Sequence, residues 1–433
     1  MNIRKLIKTF IPTSLFSKVE PFGHLIEAVI YNTLYGFPGR KFKVIGVTGT
    51  NGKTTTTYMI HRMMREAGYS VGLMTTVAYG ANDDIRNQTY HMTNVPMPAL
   101  MKRLRWMHKQ GVEWLVLETT SHALAQNRVW GVPYSVAVMT NVTHEHLDFH
   151  GTFEAYRNAK RKLFKLANNN KKGLRTGIVN TDDDSARLFS GDILHPVGYG
   201  LKSGHVVAKD VQLTPAGSTY KAVAGDVTYD ITCNIPGSFN VSNSLAVVAV
   251  GHTLGIRKEK VEQGISALKS VEGRMSRIDE GQDFAVIVDF AHTPDSFEKL
   301  FKDLRPVVKG KLIVMFGSAG RRDEAKREVQ GKLAGEYADE VVVTEEDDRD
   351  IDGLGIMEQI AEGAESAGKL RNQNLFLVHD RTEAIHFAIN RAQKGDTVLL
   401  LGKGHEKTIE RANGENPWDE IGTAHEAART RKS

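Results

Sequence analysis

Cysteine is almost missing from this 433-residue chain: Cys233 stands alone. An intramolecular disulfide and a cysteine-cluster metal site are thereby excluded, and the single thiol reads as a small buried hydrophobe. Long apolar runs are missing too. No stretch approaches the roughly 18 to 20 apolar residues that span a bilayer, so no membrane span is expected. The opening MNIRKLIKTFIPTSLF is basic and apolar, yet it has no extended apolar centre and no small-residue cleavage site, so it is not read as a signal peptide. A cytoplasmic address is the expectation. Nor is there a large surplus of one charge, since 56 Lys and Arg stand against 51 Asp and Glu. The densest basic stretch, Asn158 to Arg175, reads as a solvated helix face followed by a loop, and no nucleic-acid partner is expected.

What is present is an ordinary globular composition, 41% hydrophobic and 25% charged, long enough for about two or three domains. Residues 1–38 read as a short helical lead-in. From Lys41 apolar runs alternate with helical periods: KFKVIGV, SVGLMTT, VEWLVLE and YSVAVMTNV are strands, and helices lie at about Thr54 to Ala67 and in MPALMKRLRWMHKQG. Such alternation predicts a mostly parallel α/β sheet covered on both faces. Alternating segments at about 200–235 suggest an antiparallel edge, and a helical stretch is expected from Val241 to Leu268. A second series, FAVIVDF, KLIVMFG, ADEVVVT, NLFLVHD and DTVLLLGKG, predicts a Rossmann-like α/β domain. The expected division is 1–38, 39–271 as a central P-loop-type ATPase domain, and 272–433.

The chemistry starts at VTGTNGKTTTTYMI. A Walker A loop reads G-x-x-x-x-G-K-[ST], with backbone N–H groups cradling phosphate. Gly52, Lys53 and Thr54 fit, but Val47 stands where the first Gly should be. A strand leads in, a helix leads out and Gly49 supplies backbone freedom, so the context of a phosphate loop holds. The run GVTGTNGKTTT resembles the ATP loop of the Mur ligases, whose T-G-T-x-G-K-[ST] lacks that Gly. The resemblance implies that Gly49, Thr50, Asn51, Gly52, Lys53, Thr54 and Thr55 bind ATP, with Thr54 on Mg²⁺.

Glu118 ends a strand, where open α/β sheets place ligands. It is either a solvated cap or, beside Thr54, a Mg²⁺ ligand. ETTSHALAQNRV resembles the E-[VT]-[ST]-S-H-x-L-x-x-x-R segment of the Mur ligase that adds the third peptide residue, which favours the ligand. Three histidines, His144, His146 and His150, have a spacing that fits no common zinc pattern. TNVTHEHLDFHG instead resembles the family's T-N-[LI]-x-x-D-H-L-D-[FY]-H-G, with Glu145 for Asp, and His146 is then a ligand of a second Mg²⁺. On the following helix Tyr156, Ala159, Leu163 and Phe164 form an apolar stripe that includes Lys160. A lysine there snorkels or loses its charge; the resemblance implies that it reacts with CO₂ to give a carbamate that helps hold metal.

Further motifs extend the resemblance over about residues 41–425. FNVSNSLAV, EGRMSRI and VDFAHTPDS place Asn243, Arg274, Asp289 and His292 at ATP, although a strand-end Asp that caps a turn serves equally for Asp289. GSAGRRDEAKR and GKGHE match the amino-acid site at Arg322, Gly402 and Glu406. TEEDDRD replaces the family's D-N-P-R; Arg349 is retained and favours diaminopimelate, whose distal carboxylate wants an Arg, whereas Asp347 favours a plain distal ammonium. Thr93, Asn94, Thr120, Gln126 and Arg128 match muramyl-peptide contacts. The family's N-terminal uridine-binding domain has no counterpart before Lys41, so uridine recognition is expected to be reduced, rebuilt or abandoned. The absence of further cysteines excludes the zinc insert of another truncated relative.

The expected activity is therefore an ATP- and Mg²⁺-dependent amide ligase that adds meso-diaminopimelate or L-lysine to UDP-MurNAc-L-Ala-D-Glu through an acyl phosphate, with Lys53, Glu118, His146, Lys160 and His292 as the catalytic set. Small-molecule substrates and a monomer are expected. Alternatives are a relative acting on a folate or polymer carboxylate, and a non-catalytic nucleotide-binding protein.

Overall fold

A computed structural model describes residues 13–88, 90, 92–143, 145–214 and 216–431, with side chains from residue 20 onward except those of Leu147 and Asp148. His144, weighed above for zinc, lies outside them. The described chain divides into two compact units: 13–211, 219–233 and 240–268 form one, and 212–218, 234–239 and 269–431 the other.

In the first unit the helices are α1 (Thr13–Leu34), α2 (Lys53–Glu66), α3 (Met97–Lys109), α4 (Ser121–Ala125), α5 (Leu147–His150), α6 (Phe153–Asn169), α7 (Ala186–Ser190), α8 (Ser238–Thr253) and α9 (Lys258–Ala267). Its strands are β1 (Lys43–Thr48), β2 (Val71–Met74), β3 (Ala78–Ala81), β4 (Asp84–Asn87), β5 (Trp114–Glu118), β6 (Tyr134–Met139), β7 (Thr176–Asn180), β8 (His195–Gly200), β9 (Val206–Thr214), β10 (Gly217–Ala224) and β11 (Val227–Cys233). They form one sheet in the order β11-β10-β9-β8-β7-β6-β1-β5-β2-β3-β4. β8, β7, β6, β1, β5 and β2 run parallel. Val44, Ile45, Val47 and their neighbours in β5 and β6 are fully buried, as near-continuous apolar runs of a two-sided parallel sheet should be. β1 lies at the middle, so the loop after it opens beside the carboxyl ends of β5 and β6, with Val47 paired to both Glu118 and Val138.

The helical stretch expected from Val241 to Leu268 is interrupted. α8 stops at Thr253, Gly255 takes φ +65°, and Ile256 N–H reaches back to Gly251 O at 2.9 Å. This is a glycine-stopped helix end, after which Arg257 in extended geometry starts α9. The β3–β4 hairpin and strands β7 and β8 were not read from the sequence.

The second unit holds β12 (Ser276–Ile278), β13 (Ala285–Asp289), β14 (Leu312–Phe316), β15 (Glu340–Val343), β16 (Leu375–Leu377), β17 (Thr397–Leu401) and the hairpin β18 (Thr408–Arg411) with β19 (Gly414–Pro417). Its sheet runs β12-β13-β17-β14-β15-β16, and all but β12 are parallel. Helices α10 (Pro294–Leu304), α11 (Ala325–Tyr337), α12 (Gly353–Ser366), α13 (Arg381–Arg391) and α14 (Glu420–Thr430) complete the α/β unit. Its own core gathers Val286, Val288, Ile313, Val342, Ile385 and Leu400.

Candidate active site

The loop between β1 and α2 is shaped by its glycines. Gly49 has φ +155° and Gly52 φ +81°. A Cβ on Gly49 would lie 1.8 Å from Thr140 Oγ1, and one on Gly52 would lie 2.2 Å from Asn243 Oδ1. Only glycine lets the backbone come this close to its walls. Neighbouring polar groups hold the loop from outside: Asn141 Oδ1 accepts from Asn51 N–H at 3.0 Å, and Thr140 Oγ1 donates to Asn51 O at 2.6 Å. Lys53 Nζ donates to Thr50 O at 2.7 Å. Thr54 and Thr55 are buried in the first turn of α2, whose free N–H groups favour an anion. Asn243 is buried on α8 and donates to Asn240 Oδ1.

Glu118 is the hub of the next layer. Buried at the end of β5, it accepts from Thr54 Oγ1 at 3.0 Å and from Thr76 N–H at 2.9 Å on Oε2, and from Thr76 Oγ1 at 3.0 Å on Oε1. Thr76 Oγ1 lies 2.7 Å from Thr93 Oγ1. The residues assigned to the muramyl peptide join the same network. Asn94 Nδ2 donates to Glu118 O at 2.8 Å, and Asn94 Oδ1 accepts from both N–H and Oγ1 of Thr120 at 3.0 Å. Arg128 donates to Asn94 O at 2.6 Å and to Gln126 Oε1 at 2.9 Å.

Lys160 lies inside, where its stripe on α6 places it. Its Nζ donates to Gly49 O at 2.5 Å and sits 4.4 Å over the Tyr156 ring. Burial, and then the nearby Lys53 charge, hold its amine well below the ordinary lysine range. Tyr156 bridges Thr50 Oγ1 at 3.0 Å and Glu145 Oε2 at 3.2 Å. His146 Nε2 lies 3.7 Å from Glu145 Oε2, and its φ of +54° is uncommon for a residue with a side chain.

In the second unit, Arg274 stacks on Phe290 at 4.5 Å, and Phe290 also packs against His292 and His405. Asp289 accepts from Met275 N–H at 2.7 Å and Ala291 N–H at 2.8 Å, so it does cap the turn; burial nevertheless raises its carboxyl. His405 is pushed down to about 3, chiefly by burial. On the same unit Lys403 Nζ pairs with Asp347 at 2.8 Å and with Glu406 at 2.6 Å. Gly402 at φ +104° keeps a Cβ from meeting Glu346 Oε2. Arg349 donates to Glu410 Oε2 at 2.7 Å and to Gly320 O. Arg322 is exposed.

The donor sets suit the groups expected of them. The glycine cradle at the start of α2 matches a phosphate chain. Thr54 and Glu118 offer adjacent hard oxygens, the kind Mg²⁺ takes alongside phosphate and water. Sequence reasoning passed over Thr76, Lys403, Glu410 and His405, and took Tyr156 only as part of the apolar stripe. Lys403 and His405 carried a signal, inside GKGHE; Thr76 follows β2 in no motif at all.

Comparison with known proteins agrees with this geometry. The Mur ligase middle domain matches residues 47–251, and the Mur ligase, glutamate ligase domain matches 273–404. The chain is 40% identical over 421 residues to the UDP-N-acetylmuramyl-tripeptide synthetase of Roseiflexus sp. (strain RS-1), covering 94% of this chain and 82% of that one. It is 38% identical to the UDP-N-acetylmuramoyl-L-alanyl-D-glutamate--2,6-diaminopimelate ligase of Geobacillus thermodenitrificans (strain NG80-2), covering 90% and 79%. A solved structure of a ligase of the latter name superposes with TM-score 0.65 at 29% identity over 90% of this chain and 78% of that one.

Proposed function

The chain belongs to the Mur ligase family and is an ATP-dependent ligase, and on that premise we propose that it joins a diamino acid to the D-glutamyl carboxylate of UDP-N-acetylmuramoyl-L-alanyl-D-glutamate. The observation that carries this reading is the Glu118 network. The buried Glu118 ties the phosphate loop, through its carboxylate and Thr54, to Thr76 and Thr93, and through its backbone carbonyl to Asn94 and Thr120, so groups for ATP and for the acceptor carboxylate meet at a single residue.

A carboxylate is a poor electrophile. The acceptor oxygen therefore attacks the γ-phosphorus of ATP, ADP leaves, and an acyl phosphate forms. The amino acid's α-amine then attacks that carbonyl, inorganic phosphate leaves, and the amine's proton is lost as the amide forms. Mg²⁺, held by Thr54 and Glu118, would supply charge neutralisation on the phosphates. Lys53 screens the same charge from the loop, and the oriented N–H groups of α2 need no reorganisation to do so. Burial holds the Lys160 amine well below the ordinary lysine range, which favours the neutral form that can add CO₂; the resulting carbamate, with His146, would give a second metal position. Asn243, Arg274, Asp289 and His292 are the proposed nucleotide contacts beyond the loop. We place the reaction in the cytoplasm, with the enzyme as a monomer.

Diaminopimelate requires Arg349 to exchange Glu410 for the distal carboxylate. The Arg349–Glu410 pair, with Glu346, Asp347 and Asp348 beside it, favours a second reading in which L-lysine is the substrate, because these acids suit a plain ammonium. The test is phosphate release from ATP with the UDP-muramyl dipeptide and each amino acid in turn. Release that ignores both substrates, or none with any pair, refutes the ligase assignment; the amino acid that supports turnover decides between the two readings.

A further inference from the structure

Helix α1 is turned the unexpected way round. Its inward face carries His24, Ala28 and Asn32. Asn32 donates to Ala28 O at 2.9 Å and to Trp130 O at 3.1 Å, and His24 lies between Glu20 and Glu27. Outward, at helical spacing, stand Phe22 (67% exposed), Ile26 (61%), Ile30 (50%) and Leu34 (71%), with Val29 beside them. A continuous apolar stripe of this kind on a helix already docked by its other face is an interaction surface rather than scattered surface hydrophobes.

The charges around the stripe say what it faces. α1 packs on α3, and α3 packs on the 3-10 turn Pro38–Lys41 that follows α1. Arg40, Lys41, Lys102, Arg105 and Lys109 are exposed there, and neither segment contains a single acid. Arg105 reaches over the Tyr35 ring at the end of α1, 5.5 Å from its centroid, and Arg40 lies over Phe37 at 4.0 Å. The sequence before α1's described side chains, residues 1–19, adds Arg4, Lys5, Lys8 and Lys18 and again has no acid. α1 carries two acids of its own, Glu20 and Glu27, drawn to His24, whereas the turn and the helix beside it carry cations and no acid. An apolar stripe beside such a basic flank is the complement of an anionic bilayer surface, with aliphatic and aromatic groups at the acyl boundary and cations at the headgroups.

We propose that the outward face of α1, with the cations of the 3-10 turn and α3, seats the protein on a membrane surface rich in anionic lipid. A single shallow helix gives reversible binding, dependent on salt and on lipid charge. No helix among the described residues is long and apolar enough to cross a membrane, so the contact is peripheral.

The test is co-sedimentation of the full chain with vesicles. Binding to vesicles containing phosphatidylglycerol, little to pure phosphatidylcholine, and release by salt are expected. The variant Phe22→Ser/Ile26→Ser/Ile30→Ser/Leu34→Ser should lose binding while its phosphate release with soluble substrates is unchanged. Lys102→Glu/Arg105→Glu/Lys109→Glu should lower the partition about tenfold or more. The proposal is overturned if the full chain stays in solution with phosphatidylglycerol vesicles, or if the serine variant binds them as the parent does. Sedimentation showing a parent dimer that the serine substitutions dissolve would overturn it as well, since a second copy would then cover the stripe.

Discussion

Replacing Glu118 by Gln should separate what this residue does for the fold from what it does for the reaction. The amide oxygen in the place of Oε2 still accepts from Thr54 Oγ1 and Thr76 N–H. The amide nitrogen in the place of Oε1 donates to Thr76 Oγ1, whose proton can turn to Thr93 Oγ1, 2.7 Å away. Every partner stays bonded. Each charge-assisted bond becomes a neutral one, weaker by about 1 kcal/mol, and a buried charge no longer has to be desolvated. These effects oppose one another, so unfolding of the first unit should move by about 1 kcal/mol or less. The reaction has no such compensation. A neutral amide would hold Mg²⁺ less firmly than a carboxylate, and loss of one preorganised charge-stabilising element at the phosphates costs about 3–4 kcal/mol, a hundred- to a thousandfold fall in turnover. Denaturant titration and phosphate release at saturating Mg²⁺ measure the two. A variant that keeps turnover within tenfold of the parent, or that unfolds more easily by about 3 kcal/mol, would refute this account of the hub.

Gly52→Ala places a methyl group at φ +81° against Asn243 Oδ1; it should destabilise by about 1–2 kcal/mol for the backbone alone and abolish ATP binding by calorimetry. Lys160→Ala should lose turnover and regain part of it with short carboxylic acids, whereas full activity without rescue rejects the carbamate. Lys160→Met gives a pH signature in CO₂-free buffer. The folded lysine is depressed, so between its folded value and its ordinary value of about 10.4 the unfolded chain binds a proton that the folded chain does not, and parent stability rises with pH across that window. The methionine variant lacks this slope; its advantage is greatest at low pH and shrinks, by up to about 1.4 kcal/mol per unit, towards the ordinary lysine value. Arg349→Ala should raise the KM for diaminopimelate about tenfold to a hundredfold if that is the substrate, and leave L-lysine largely unaffected.

The sequence spoke most clearly where chemistry is local. A strand, a glycine turn and a helix start lie within VTGTNGKTTTT, so the cradle could be read from neighbours in the chain. Lys160 was legible because a period of 3.6 fixes which residues share a face, and Tyr156, Ala159, Leu163 and Phe164 share its burial. β5 showed Glu118 at its end, but not what surrounds it. Thr76 comes from the turn between β2 and β3, and only the order β1-β5-β2 in the sheet brings that turn to the carboxylate. No one-dimensional pattern carries that adjacency. The break between α8 and α9 was missed for a different reason, since Gly255 interrupts an otherwise apolar periodic run and its left-handed φ decides the matter.

Helix α1 shows the limit of hydrophobic patterning most plainly. Its apolar stripe at 22, 26, 30 and 34 has the spacing that ordinarily marks a core face, yet His24, Ala28 and Asn32 are the residues that dock. The reason is at Trp130 and Gly131. The Trp130 carbonyl takes the Asn32 amide, and Gly131, at φ +87°, leaves room where a Cβ would come within 2.6 Å of Asn32 Oδ1. An apolar face turned inward would leave that carbonyl without its donor. The hydrogen bond and the space at Gly131 seat the inward face, and the stripe is left outward, beside the cations of the turn and α3.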